Sequence, residues 1–172
     1  YTLVSSKMLQ AKHTLTLKAI LILLLIVQHV SPNYVKKYQI PNIRANWFKA
    51  VEFCHSIGMQ LATIDSRADS ESLISFIKST DKFNEQACAF WLGGSDLSEE
   101  GTFSWQGTGK LVTYTNWSPG EPNNTNGTED CIQLVYIPRF EQRWTWNDNA
   151  CKRSYMYFVC ESLPQNCIQE FK

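Results

Sequence analysis

The six cysteines of this chain, Cys54, Cys88, Cys131, Cys151, Cys160 and Cys167, constrain its fold more than any other feature. An even count in an exported chain implies a disulfide framework, although six cysteines allow 15 connectivities. No two form a Cys-x-x-Cys pair, which argues against a cysteine-rich zinc site. All six follow a segment of different character. Residues 1–31 hold Lys7, Lys12 and Lys18 ahead of the apolar run 19–27, and no acid occurs before Glu52. A basic flank followed by a short apolar core is the pattern of a secretory signal peptide. The run falls short of the roughly 20 residues needed to cross a bilayer, so a membrane anchor is the weaker reading. Cleavage is expected near Ser31, with Met8 as a candidate start.

The expected organisation is therefore a leader over 1–31 and one domain over 32–172, secreted through an oxidising compartment. Removing the leader takes three lysines and no acid, leaving 13 bases against 16 acids and a net charge of −3. With no basic patch, that balance speaks against nucleic acid as a partner.

Asn46 is placed to cap a helix over 47–57, where Trp47, Ala50, Val51 and Cys54 keep the spacing of a buried stripe and Gly58 supplies the stop. Residues 59–64 alternate as a strand, with Met59, Leu61 and Thr63 on one face. Ser66 with Asp69 resembles a capping box ahead of a second helix reaching about Thr80, with Leu73, Ile74 and Ile77 inward. From Phe90 onward short strands are expected over 90–92, 103–105, 131–135, 144–146 and 157–160. A long polar loop with Pro119, Gly120, Pro122 and Gly127 lies between Tyr114 and Asp130, and a loop of that length is usually functional or disordered. Two helices followed by strands predict an α+β domain with helices segregated from antiparallel sheets.

That loop opens the chemistry. Glu121-Pro122-Asn123, Glu129-Asp130 and Asn147-Asp148 fall within 28 positions. Glu121, Asn123, Glu129, Asn147 and Asp148 offer three carboxylates and two amide oxygens, hard donors that suit Ca²⁺ with its 6–8 oxygen ligands. A partly filled shell leaves room for hydroxyl groups of a sugar, and the same Glu and Asn can exchange hydrogen bonds with those hydroxyls. Pro122 matters because X–Pro is the bond at which a cis peptide is least costly, and a cis bond would turn both flanking side chains toward one cation. The plainer alternative is a solvated polar loop.

Taken together, Trp91-Leu92-Gly93-Gly94, Asn116-Trp117, Glu121-Pro122-Asn123, Glu129-Asp130-Cys131, Trp146-Asn147-Asp148 and Phe158-Val159-Cys160 resemble the C-type lectin domain, as does the first helix around Trp47 and Cys54. The resemblance spans roughly 38–161 and is strongest to short secreted members of insects. It implies the C-type lectin-like fold, a long calcium-binding loop and disulfides Cys54–Cys160 and Cys131–Cys151. Cys88 and Cys167 lie outside that pattern, and either pair with each other or serve an intermolecular bridge, the internal pair being favoured on the even count. The Glu-Pro-Asn order implies mannose, fucose and N-acetylglucosamine, whereas Gln-Pro-Asp favours galactose. Both calcium and sugar would then be held by Glu121, Asn123, Glu129, Asn147 and Asp148. An auxiliary calcium would fall on Asp96, Glu100, Asn124 and Asp130 with the Glu129 carbonyl. Asn124 stands where an aspartate is common, which removes one charge from that second site.

Three Asn-x-Ser/Thr sequons begin at Asn116, Asn123 and Asn126, and Asn126 is the expected glycan acceptor. Catalysis is not expected. The carboxylates are committed to a cation, the histidine left after leader removal is His55, and no nucleophile–base constellation is present. The expected function is a secreted calcium-dependent lectin binding mannose-type glycans, with microbial surfaces and innate defence as its setting. The competing reading is a lectin-fold protein that binds a protein or host glycoprotein without sugar specificity.

Overall fold

The computed structural model describes residues 34–163. The expected leader and Cys167, with its proposed pairing to Cys88, lie outside them. Among the described residues, 36–163 form one unit.

Helix α1 (Trp47–Ser56) begins where Asn46 Oδ1 accepts from the Lys49 amide at 3.0 Å, and it buries Trp47, Ala50 and Cys54. Val51 is only half-buried, so the stripe is narrower than its spacing predicts. Gly58 follows at φ +71°, a left-handed turn open to glycine at little cost. Helix α2 (Arg67–Lys78) is capped by Ser66 Oγ, which accepts from the Asp69 amide at 3.1 Å. The reciprocal bond differs from a capping box. Asp69 Oδ2 takes the Asp65 amide at 3.0 Å, one residue before the cap.

The strands are β1 (Tyr38–Gln39), β2 (Met59–Leu61), β3 (Cys88–Ser95), β4 (Ser104–Trp105), β5 (Cys131–Ile137), β6 (Gln142–Asn149), β7 (Tyr157–Phe158) and β8 (Cys160–Ser162). One sheet has the order β1-β8-β2. The other runs β4-β3-β5-β6, with β7 joined to β3 in parallel. The expected strand over 157–160 is split. Val159 is the crossover: its N–H donates to Trp91 O at 3.3 Å and its carbonyl accepts from the Ala62 amide at 2.8 Å. The strand expected over 59–64 stops at Leu61 for the same reason, because Ala62 pairs with Val159 and Gly93 between the two sheets. The Gly93-Gly94 pair permits this approach. A Cβ on Gly94 would lie 2.4 Å from Ile132 Cδ1, and one on Gly93 would lie 2.9 Å from Leu61 O.

Two clusters fill the interior. Phe90, Leu92, Trp105, Ile132, Leu134 and Trp146 form one with Leu73 and Ile77 of α2. Trp47, Cys54, Trp91 and Phe158 form the other beside α1. Trp47 Nε1 donates to Leu92 O at 2.8 Å and Trp91 Nε1 to Ala45 O at 3.1 Å, so both indoles pack without an orphaned donor. Disulfide Cys54–Cys160 ties α1 to β8, and Cys131–Cys151 closes the end of the β5–β6 ribbon. The observed architecture is α+β, two helices against sheets that are antiparallel but for the β7–β3 pair.

Candidate functional site

The β5–β6 ladder sets Asp148 opposite Ile132 and Asn147 opposite Gln133, at the end closed by Cys131–Cys151. Glu129 and Asp130 immediately precede β5. The long loop is laid against the same end by Trp117, which bridges Trp146. The Trp146 amide donates to Asn116 O at 2.7 Å and the Ser118 amide to Trp146 O at 2.8 Å. Trp117 and Tyr114 set their rings edge-on to Trp146, and Trp144 stacks on Tyr136, so these aromatics are packing residues. Glu121 then follows a turn closed by its own amide on Ser118 O at 3.0 Å, and the Glu121–Pro122 peptide is cis.

Asp148 is the hub. It is 1% exposed, and its Oδ1 and Oδ2 accept from the backbone amides of Asn123 at 3.2 Å and Asn124 at 2.7 Å. Glu121 lies near enough to Asp148, Glu129 and Asn123 for all three to act on its carboxyl. Glu121 Oε2 is buried with no hydrogen-bond partner among the described residues. Burial first, then contact with Asp148 and the charges of Asp148 and Glu129, push the Glu121 carboxyl up to about 7. Glu129 Oε2 accepts from the Thr125 amide at 3.2 Å. Asn147 Nδ2 donates to the carbonyl of Asp148. Among the described residues, no three His, Cys, Asp or Glu side chains converge as a metal group by themselves. The structure thus brings Glu121, Asn123 and Glu129 near Asp148 without closing them into one cluster, and Asn147 is turned toward its own strand.

The second group forms alongside. Asp96 is 3% exposed, its Oδ2 accepts from the Gly101 amide at 2.8 Å, and its own amide donates to Asp130 O at 3.1 Å. Asp96 Oδ1 is buried without a partner, and burial raises its pKa. Asn124 joins the two groups. Its Nδ2 donates to Glu100 Oε2 at 2.5 Å and its Oδ1 accepts from the Glu129 amide at 3.0 Å.

Thr125 was not among the expected site residues. Its hydroxyl donates to Asn123 Oδ1 and its amide holds Glu129, so one residue steadies two candidate ligands. The signal was present in the sequence, where Thr125 closes the Asn123 sequon.

Residues 43–162 match the Lectin C-type domain family. The chain belongs to that family. It is 42% identical over 153 residues to "C-type lectin mosGCTL-7" of Aedes aegypti, covering 89% of this chain and 96% of the relative. It is 39% identical over 127 residues to "Salivary C-type lectin 1" of Aedes albopictus, covering 74% and 82%. Among solved structures it resembles the cow carbohydrate-recognition domain of CD23, crystallised in the presence of a GlcNAc2Man3 oligosaccharide. That match has 27% identity and a TM-score of 0.61, over 76% of this chain and 89% of the other. This C-type lectin domain therefore carries its candidate ligands in the loop and strand ends described above.

Proposed function

We propose that this C-type lectin is a secreted, calcium-dependent receptor for mannose-type sugars, namely mannose, fucose and N-acetylglucosamine. The observation that carries the reading is the buried Asp148 carboxylate, drawn onto the backbone amides of Asn123 and Asn124 in the loop that carries Glu121. Asp148 is buried, Glu121 beside it is half-buried, and Glu121 Oε2 has no hydrogen-bond partner among the described residues. Such an arrangement is costly for two anions and suits a divalent cation with oxygen ligands. Glu121, Asn123, Glu129, Asn147 and Asp148 would hold the ion. When bound, Ca²⁺ supplies open coordination positions for a pair of adjacent sugar hydroxyls. Around it, Glu121 and Glu129 accept from those hydroxyls, and the Asn123 and Asn147 amides donate to them. Thr125 keeps Asn123 and Glu129 in place. Asn147 must leave the Asp148 carbonyl to take part.

Secretion by the expected 1–31 leader, with 32–172 as the mature domain, is part of the proposal. The relative named for saliva supports it. Recognition of microbial glycans is its proposed setting. The domain binds and does not catalyse: His55, the histidine among the described residues, sits exposed on α1. The auxiliary set Asp96, Glu100, Asn124 and Asp130 is proposed as the weaker of the two calcium sites, because the Asn124 amide already satisfies Glu100.

A glycan array with and without calcium tests the reading. Mannose-type glycans are expected to bind in calcium alone and galactose poorly, while equal binding to both sugars would overturn the specificity. The double variant Glu121→Gln, Asn123→Asp is expected to shift preference toward galactose by about tenfold, ~1.4 kcal/mol. An unchanged ratio of inhibition constants for the two sugars would contradict that assignment.

A pH dependence follows from Glu121. Its folded pKa of about 7 lies above the ordinary value of 4.5, so between them the calcium-free fold takes up a proton that the unfolded chain does not. This contribution to stability is present at low pH and is lost as pH rises through about 7. Calcium removes the penalty by displacing the proton. Calcium is therefore expected to raise Tm more at pH 8 than at pH 5.5, and Glu121→Gln to flatten the difference in calcium-free scans.

A further inference from the structure

The loop that carries the candidate ligands also carries the sequons, and the structure separates them. Asn116 Nδ2 donates to Trp144 O at 2.8 Å in a part-buried position, so a glycan there would break the bond that seats the loop on β6. Asn123 is held among the candidate ligands, its side chain by the Thr125 hydroxyl and its amide by Asp148 Oδ1. Asn126 differs. Thr125, Asn126, Gly127 and Thr128 are all exposed, in a short 3₁₀ turn over Thr125–Gly127. Asn126 adopts φ +59°, Gly127 φ +64°, and the turn is closed by the Gly127 amide on Asn124 O at 2.8 Å. A glycan on Asn126 would therefore displace no contact described for this loop.

That acceptor stands three residues from Asn123 and three from Glu129, at most about 11 Å of chain in either direction. An N-glycan core bears mannose on its branches, the sugar class proposed for this site. We propose that the glycan on Asn126 is itself a ligand of the C-type lectin site and competes with external sugar, an inference that rests on the function proposed above. Tethering makes the competition effective. A short flexible link gives local concentrations in the millimolar range, comparable with the weak binding of a single sugar to a single site. The loop is thus both receptor and bait: trimming or removing the glycan opens the site. The mannose reaches the site from the same molecule or from a second copy, and protein concentration distinguishes the two.

Three forms of the full secreted chain test this: one with mannose-terminated glycans, the same protein trimmed enzymatically to the bare side chain at position 126, and Asn126→Gln. Thr128→Ala is a fourth form that removes the sequon and keeps asparagine at position 126, at the loss of the exposed Thr128 hydroxyl bond to Thr125 O. Peptide mapping locates the glycan, and calorimetry at saturating calcium measures the dissociation constant for methyl α-mannoside. The trimmed and sequon-free forms are expected to bind about two- to tenfold more tightly than the mannose-terminated form. Concentration-independent constants assign the glycan to its own site. Calcium-dependent sedimentation of dimers, lost in Thr128→Ala, assigns it to a second copy. Equal constants across the forms, or no glycan at Asn126, overturn the inference and leave the lectin function standing. A glycan that weakens binding of polymeric mannan but not methyl mannoside acts by bulk alone and also overturns it. Failure of every form to bind methyl mannoside in calcium fells both.

Discussion

Replacing Asp148 with asparagine is expected to lower calcium affinity at least about a hundredfold, ~2.8 kcal/mol, and to abolish calcium-dependent retention of sugar. The shape of the side chain is conserved, so the effect arises from charge and hydrogen-bond polarity. Both carboxylate oxygens of Asp148 accept backbone amides, from Asn123 at 3.2 Å and Asn124 at 2.7 Å. An amide supplies one acceptor where two are needed, and its NH₂ would face a backbone N–H. Burial at 1% exposure leaves no water to repair the mismatch. The variant also removes the Asp148 charge beside Glu121, so the Glu121 carboxyl should fall part of the way toward its ordinary range, with burial still holding it up. Calorimetric titration with calcium checks the first effect and NMR titration of Glu121 the second. A variant within threefold of the parent would remove Asp148 from the site.

The largest loss of stability is expected from the double variant Cys54→Ala, Cys160→Ala. This disulfide links residues 106 apart, and both cysteines are fully buried between α1 and β8. In the chain-entropy account a loop of that length is worth about 4–5 kcal/mol. Chemical unfolding should register that loss, and Tm should fall on the order of 15 °C. Calcium affinity should stay close to the parent value, since neither cysteine touches the loop cluster. The pair Cys131→Ala, Cys151→Ala offers the contrast. Its separation of 20 residues is worth only about 3 kcal/mol, yet it closes the ribbon end that holds Glu129 and Asp148. Calcium affinity should fall with it. A loss below about 1 kcal/mol for Cys54→Ala, Cys160→Ala would show that the core alone holds α1 in place.

Local signals carried much of the fold. Asn46 and Ser66 both cap the helices they precede, because a cap needs only a side-chain oxygen and an amide three residues on. Pro122 marked the peptide that is cis, since tertiary amides alone tolerate that isomer readily. What the sequence hid is long-range. Strand β1 has two residues and no pattern of its own, and it exists because Tyr38 and Gln39 pair with Glu161 and Cys160. Gln60 points to the face opposite Met59 and Leu61, yet it is 3% exposed, with Nε2 donating to Glu161 Oε1 at 2.8 Å. Thr63 donates to the same oxygen, and Lys36 Nζ lies 3.2 Å from Glu161 Oε2. Burial pushes Glu161 upward, and these three partners pull it back. A charged residue among hydrophobic strands becomes legible only once segments about a hundred residues apart have met.

The candidate site divides along the same line. Its carboxylates and amides stand in plain view between Glu121 and Asp148, since hard donors in a long loop are unusual enough to notice. Their mutual arrangement is not written locally. Asp148 as hub, Thr125 as brace and Asn124 as the link to Glu100 each depend on the loop folding back across β6.

Retention on immobilised mannose tests the central claim most directly. The account predicts that the secreted chain is held in calcium, released by a chelator, and held again when calcium is restored. Retention that persists in the chelator, or no retention in calcium, would contradict it.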